Sequence, residues 1–201
     1  MLCHVSLANV IQGSLARHCR EGESLIALQQ SAVSFNLCFG QVVMGPCSGG
    51  SVVVAFMDQR SDPQEICKIT RDESVSLIIA TPSELAYWLR YGETELMEAA
   101  NSRYAFSGGE ALPHTLKTSF RQLNNDLKLV NIYGPAEASV WCTTAEIDNS
   151  AKGEKETVTP VGRPMANCGV FVVDKDLKPV PSGFSGEIAV TGAGVANGYF
   201  G

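Results

Sequence analysis

Two short loops, each placed directly after a run of strand-forming residues, constrain most strongly what this chain can fold into. The first is Ser107-Gly-Gly-Glu110, after Arg103-Tyr-Ala-Phe106. The second is Asn131-Ile-Tyr-Gly-Pro-Ala-Glu137, after Leu127-Lys-Leu-Val130. Ligands of an open parallel sheet bind beyond the carboxyl ends of its strands. We therefore expect the two loops to lie on neighbouring strands and to line one pocket.

The residue types in these loops are those that a nucleotide site needs. Gly108 and Gly109 let the backbone come close to a flat base, and the ring of Tyr133 can stack on it. Glu137 offers a hard oxygen ligand for Mg²⁺. Either loop alone is commonly a turn without a ligand, but the pair in this order indicates a nucleotide site.

Strand-like and helix-like segments alternate along the first three quarters of the chain, which predicts an α/β fold with a parallel sheet flanked by helices. Val52–Phe56 is a continuous apolar run, typical of a parallel strand covered on both faces. We expect Pro63 to begin one helix and Ser83 to cap another. The other strands are predicted at 25–28, 77–80, 104–107 and 127–132, and the helices at 7–20, 39–47, 62–71, 83–91 and 113–123.

The pattern changes after about Asp148, where a polar segment is followed by short strands and Gly/Pro turns. The runs Gly169–Asp174 and Glu187–Thr191 predict an antiparallel element. We therefore divide the chain into residues 1–155, an α/β unit, and residues 156–201, the start of a small β unit.

Composition excludes several classes of partner and location. The net charge of −6 argues against nucleic acid or an anionic membrane surface. The seven cysteines lack a C-x-x-C spacing and lie among apolar residues, which indicates buried thiols in a reducing compartment. There is no signal-peptide pattern and no apolar run of about 20 residues, so we expect a cytoplasmic protein. His18 and His114 are expected at the surface or at helix ends.

Four segments in order resemble the adenylation domains of nonribosomal peptide synthetases, within the adenylate-forming superfamily. Asn131–Glu137 is similar to the motif N-x-Y-G-P-T-E, and Ser34–Cys38 is similar to S-F-D-x-S. Gly186–Tyr199 resembles a third motif, G-E-[IL]-x-[IV]-x-G-x-G-[LV]-x-x-G-Y, and Ser107–Glu110 lies at a family-like spacing. The resemblance implies an α/β core followed by the start of a small distorted β-barrel.

It also implies an activity for the intact parent. That protein would activate a carboxylic acid with ATP as acyl-AMP and load it onto the phosphopantetheine thiol of a carrier protein. ATP and Mg²⁺ are the implied cofactors, with Glu137 as the metal ligand. Ala136 stands where the family has a threonine facing the α-phosphate, so this contact is expected to be lost. The implied nucleotide-binding residues are Gly108, Gly109, Glu110, Asn131, Tyr133, Gly134 and Glu137.

The implied substrate pocket departs from the amino-acid-activating pattern at one position. Asn36 replaces the aspartate that pairs with a substrate α-ammonium, and a neutral amide cannot neutralise a buried ammonium. The resemblance therefore implies an acid without an α-amino group, although drift at Asn36 in a chain no longer under selection is the alternative. The implied pocket residues are Phe35, Asn36, Leu37, Gly40, Ala80, Ala105, Ser107, Ile132, Val140 and Trp141.

Other family segments are missing from these residues: the phosphate loop, the Y-x-T-G-D segment and the C-terminal lid with its lysine. We therefore assign no catalytic residue and expect the isolated chain to be inactive in adenylation. Two alternatives remain at this stage. One is a non-catalytic remnant, either a pseudoenzyme that binds nucleotide or a protein-interaction module. The other is a fragment of an acyl-CoA ligase.

Overall fold

A computed structural model of the protein describes residues 1–123, 127–147 and 159–200. Within these residues, helices and strands alternate as the sequence predicts. The helices are α1 (His4–His18), α2 (Leu37–Cys47), α3 (Pro63–Asp72), α4 (Pro82–Tyr91), α5 (Glu93–Glu98) and α6 (His114–Leu123). The strands are β1 (Ile26–Gln29), β2 (Ser51–Val54), β3 (Leu77–Ala80), β4 (Tyr104–Ser107), β5 (Lys128–Tyr133), β6 (Thr143–Glu146), β7 (Arg163–Pro164), β8 (Cys168–Val173) and β9 (Glu187–Gly192).

Seven of these strands form one sheet in the order β2-β1-β3-β4-β5-β6-β7. The pairings from β2 to β5 are parallel, whereas β6 runs antiparallel to β5 and β7 antiparallel to β6. β4 and β5 are neighbours, and Ser107 pairs with Asn131 in register. The two loops singled out in the sequence therefore leave the same edge of the sheet side by side.

Two helix starts show how local sequence fixes the elements that carry these loops. Asp62 caps α3 by accepting hydrogen bonds from the backbone N–H groups of Gln64 and Glu65. In α4 the cap is Thr81, not Ser83 as expected. The Thr81 hydroxyl accepts from the Glu84 N–H, while the Glu84 carboxylate accepts from the Thr81 N–H. Ser83 lies in the first turn, and its hydroxyl donates to Glu110.

The core lies in two layers, one on each face of the sheet. Because side chains alternate along a strand, β3 sends Leu77 and Ile79 to one face and Ile78 and Ala80 to the other. We call the layer that contains Ile79 the α1/α2 layer; its buried members include Val10, Ile11, Leu37, Met44, Tyr104, Phe106, Val130, Ile132, Val140, Trp141 and Met165. The opposite layer, packed by α3, α4 and α6, includes Leu28, Ile66, Leu85, Trp88, Ala105, Leu116, Phe120 and Leu129.

Three features of the sheet differ from the sequence-based expectation. β2 is an edge strand, and Val54 is 57% exposed, so this run is not covered on both faces. The helix α5 and the strands β6 and β7 were not predicted, because each is short and lacks a clear apolar period. Arg163–Pro164 lies in the part assigned to the β unit, yet it pairs with β6 of the large sheet.

β8 and β9 form a separate antiparallel pair, as their short strand-forming runs and the Gly/Pro turns between them predict. The division at residues 155 and 156 lies outside the described residues and stays a prediction. Among the described helices, none is both long enough and apolar enough to cross a membrane.

Candidate functional site

The loops after β4 and β5 enclose one cavity at the carboxyl edge of the sheet. Its volume is about 470 Å³. Of the expected nucleotide-binding residues, it brings together Gly109, Glu110, Asn131, Tyr133 and Gly134. The remaining lining residues are Ala111, Leu112, Ile132, Pro135, Thr159 and Val161. The last two were not anticipated, since nothing in the sequence indicates that residues near 160 return to this edge.

The side-chain amide of Asn131 is oriented by its surroundings. Its Nδ2 donates to the carbonyl oxygen of Pro160 at 2.9 Å, and the residue is 4% exposed. One of the two Nδ2 hydrogens is engaged there, and this orientation leaves Oδ1 as the side-chain acceptor. An acceptor beside a half-buried tyrosine ring suits an adenine, whose exocyclic amine is a donor and whose faces can stack.

The glycines of both loops are required by close contacts. A Cβ atom at Gly108 would lie 2.5 Å from the Ile132 carbonyl oxygen, and one at Gly134 would lie 2.5 Å from the Trp141 Cα. Gly109 has a φ of +88°, a conformation that side chains rarely adopt. Gly108 is absent from the cavity lining described above and instead packs against β5, so its contribution is to let the two strands approach.

The acidic residues of the two loops have different neighbours. Glu110 lines the cavity and accepts a hydrogen bond from Ser83. Glu137 lies instead in an adjoining hollow of about 210 Å³ with Met1, Leu2 and Tyr199. The Tyr199 hydroxyl donates to the Glu137 carboxylate. That hydrogen bond lowers the pKa of Glu137 below its ordinary value, and in return it raises the pKa of Tyr199.

A single exposed carboxylate fits a Mg²⁺ ion that arrives with a nucleotide. Mg²⁺ keeps several waters and is commonly held by one or two carboxylates together with substrate phosphates. Glu137 is such a carboxylate, exposed and ionised at neutral pH, two residues beyond Pro135 of the cavity lining. Among the described residues there is no group of three or more His, Cys, Asp or Glu side chains that could hold a metal by itself.

Five of the expected substrate-pocket residues come together in the α1/α2 layer. Trp141 is fully buried there, with its ring centroid 6.1 Å from that of Phe106. A Cβ atom at Gly40 would lie 2.8 Å from Trp141 Cη2, so only glycine fits opposite the indole. The five residues are Leu37, Gly40, Ile132, Val140 and Trp141.

The structure does not bring Ala80, Ala105 and Ser107 to this group. Ala80 and Ala105 are buried in the opposite layer, and Ser107 shares their face because side chains alternate along β4. Their neighbours Ile79 and Phe106 contact the group instead. A shift of one residue in a strand exchanges the two faces. The alternation of large and small residues in β4, Tyr-Ala-Phe-Ser, is the signal that could have shown this.

The backbone that presents Trp141 is unusual. Val140 has a φ of +79°, which is rare for a β-branched residue. The preceding Ser139 is also left-handed, and its hydroxyl donates to the Gly194 carbonyl at 2.7 Å. The Cys142 N–H then donates to the Tyr133 carbonyl at 2.8 Å. Such strain persists only where the surrounding contacts determine the conformation.

Phe35 and Asn36 lie immediately before α2. Asn36 is half-buried and precedes α2 without a side-chain capping bond. Phe35 is 39% exposed, and its Cζ atom would lie 3.5 Å from a Cβ at Gly109. Phe35 therefore lies next to the nucleotide cavity as well as next to α2.

Comparison with known proteins defines the class to which this fold and site belong. The sequence pattern of the family described as "AMP-binding enzyme" matches residues 1–200, and the chain belongs to this family. Among the relatives it resembles is the hybrid PKS-NRPS synthetase buaA of Petromyces alliaceus, at 43% identity over 98% of the chain. Another is the trichosetin synthetase PKS-NRPS1 of Gibberella fujikuroi, at 36% identity over 99% of the chain.

Solved structures show the same backbone arrangement. The nonribosomal peptide synthetase FmoA3 superposes with a TM-score of 0.87 at 28% identity over 98% of the chain, and a second FmoA3 structure is described as AMPPNP-bound. CmiS6 gives a TM-score of 0.87 at 20% identity, which bears on the fold alone. The chain spans 5% of the two synthetases, 21% of FmoA3 and 47% of CmiS6.

Proposed function

We propose that this chain is the nucleotide- and acid-binding part of an adenylation domain. In the intact protein that domain activates a carboxylic acid with ATP as acyl-AMP, releases pyrophosphate, and loads the acyl group onto the phosphopantetheine thiol of a carrier protein. The observation that carries the proposal is the arrangement of Asn131. It pairs in register with Ser107, lines the cavity, and has its amide fixed with the oxygen free.

The proposed reaction depends on the positioning of its two substrates more than on a strong base. A carboxylate is a weak nucleophile, so the rate depends on holding it in line with the α-phosphate and on neutralising phosphate charge. Asn131 and Tyr133 would hold the adenine, and the glycine backbone would let it lie close. Glu137 would bind Mg²⁺, which supplies neutralisation of phosphate charge when bound. No residue of this chain is assigned to proton transfer.

AMP binding tests the nucleotide part of the proposal. In equilibrium dialysis with radiolabelled AMP, we expect the chain to bind and Asn131→Leu to weaken binding about tenfold, because one ligand hydrogen bond is lost. Asn101→Leu, at an exposed position away from the cavity, is the control and should bind as wild type. Equal binding by the wild type and the Asn131 variant, with both folded by circular dichroism, would contradict the proposal.

The hydrogen bond from Tyr199 to Glu137, together with Ala136, favours a second candidate, a nucleotide-binding protein without adenylating activity. Tyr199 competes with a metal for the Glu137 carboxylate, and Ala136 offers no hydroxyl. The same dialysis with ATP separates the two candidates. Tighter ATP binding when Mg²⁺ is added, lost in Glu137→Gln, favours the adenylating domain. ATP binding whose affinity does not change when Mg²⁺ is added favours the second candidate.

We further infer that the acid lacks an α-amino group. Asn36 is half-buried and neutral, and an ammonium without a counter-charge in such a place is unfavourable. We expect phenylpyruvate to bind in the presence of AMP more tightly than phenylalanine, measured by ligand-observed NMR. Asn36→Asp should reverse the order, since a carboxylate pairs with the ammonium and repels the keto acid. Tighter phenylalanine binding by the wild type would contradict the inference.

A further inference from the structure

The indole of Trp141 has a defined hydrogen-bond partner on α1. Its Nε1–H donates to Ser14 Oγ at 2.9 Å, and both residues are fully buried. The Ser14 hydroxyl in turn donates to the Val10 carbonyl oxygen at 2.8 Å. Because the hydroxyl hydrogen is engaged there, an oxygen lone pair faces the indole. The contact can form only in this direction, and it fixes the orientation of the ring.

In this orientation the ring of Trp141 is closely packed against its neighbours. The six-membered ring of Trp141 lies against Gly40, where even a Cβ atom would come within 2.8 Å of Cη2. The same Cβ would come within 2.9 Å of the Ile79 Cδ1 atom. Ser14 holds the opposite, nitrogen-bearing side of the indole. The ring is therefore held between α1 and the residues proposed to line the acyl pocket.

We propose that Ser14 is a positioning residue that holds Trp141 as the inner wall of the acyl pocket and so limits the length of the acid accepted. This inference rests on the proposed function and deepens it, since it assigns the size of the substrate to a residue outside the pocket lining. The preferred substrate is then a short acid, and longer acids are excluded by the fixed indole.

Removing the Ser14 hydroxyl affects the position of Trp141, because the indole N–H that bonds to it is buried. In a Ser14→Ala variant the indole N–H keeps no acceptor at this place, and an unpaired buried donor is unfavourable. The ring turns toward another acceptor or toward solvent, and its six-membered ring leaves the space opposite Gly40. A longer acid then fits, whereas the binding of a short acid changes little.

The test compares benzoate with biphenyl-4-carboxylate, two acids that differ in length by one ring. Dissociation constants are measured by ligand-observed NMR with AMP present. We expect the wild type to prefer benzoate and Ser14→Ala to shift the ratio about fivefold toward the longer acid, equivalent to about 1 kcal/mol. Ser6→Ala is the matched control, because Ser6 is also buried on α1 but its hydroxyl bonds to Cys3.

Exchange of the Trp141 indole N–H with solvent can be measured directly by NMR, without any ligand. The indole N–H resonance of Trp141 is assigned through Trp141→Phe in an ¹⁵N spectrum, and its exchange with deuterium is followed. We expect faster exchange in Ser14→Ala and wild-type exchange in Ser6→Ala. If Ser14→Ala does not fold, Ser14→Cys replaces it, since a thiol keeps the shape but is a weak acceptor.

The outcomes separate this inference from the proposed function. An unchanged acid ratio in the folded Ser14 variant, or unchanged indole exchange, overturns the positioning of Trp141 by Ser14 and leaves the proposed function intact. A wild-type chain that binds neither acid at any concentration tested contradicts the acid-binding part of the proposed function. The inference then falls with it.

Discussion

At the scale of single residues, the buried side chains of α1 pack in the same layer as Phe106 and Trp141. His18 is 5% exposed and packs edge-on against Phe106, with ring centroids 5.6 Å apart. Its Nε2 lies 2.8 Å from the Thr144 hydroxyl oxygen. His18 was expected at the surface or at a helix end. It is the last residue of α1 but is buried, and a histidine at a helix end carries no signal in the sequence that it is buried.

Burial also sets the protonation of His18. Loss of solvent lowers its pKa below the ordinary value of 6.5, and the nearby cations Arg17 and Lys128 act in the same direction. Glu146 acts in the opposite direction, with its carboxylate 3.8 Å from Nδ1. The neutral ring is therefore the form that the folded state prefers.

A pH dependence of stability follows from that preference. With the folded pKa below 6.5, the unfolded chain takes up the proton first as the pH falls. The contribution of His18 is complete above pH 6.5 and is lost below it. We expect the urea midpoint to fall between pH 6.5 and pH 5, and to fall less in His18→Gln. His4→Gln, at an exposed histidine, should match the wild type. An equal dependence of the urea midpoint on pH in all three proteins would contradict this prediction.

At the scale of elements, most strands and helices could be predicted, because their apolar periods and turn residues agree with the final structure. The loops of Ser107–Glu110 and Asn131–Glu137 were predicted to be neighbours, and the register of β4 and β5 confirms it. It was harder to predict which face of the sheet each side chain of a strand occupies. Ala80 and Ala105 were assigned to the pocket, and the structure places them on the face of the sheet opposite to Trp141, because side chains alternate along a strand.

Another element-scale difference concerns β2. A run of three valines reads as a central strand when sequence alone is considered. Its position at the edge depends on which other segment pairs beside it, and no local pattern encodes that. Phe56 and Met57, just beyond the strand, are 73% and 87% exposed. The same reasoning applies to Arg163–Pro164, whose pairing with β6 depends on the path of residues distant in sequence.

At the scale of the whole molecule, the backbone is retained more strongly than the side chains. FmoA3 shares 28% of its residues with this chain, yet the TM-score is 0.87 over 98% of the chain. In this chain, the absence of a side chain at Gly108 and Gly134 allows backbone segments to approach closely. The inference about the acid rests on two residues of this chain, Asn36 and Trp141.

The central claim is that the cavity bounded by the β4 and β5 loops binds adenine nucleotide, and photolabelling tests it most directly. The chain is irradiated with 8-azido-AMP, digested and mapped by mass spectrometry. We predict labels within 109–112 and 131–135, suppressed by excess AMP. Labels confined to another hollow, such as that of Arg20, Arg103 and Lys128, or labelling that excess AMP does not suppress, would contradict the account.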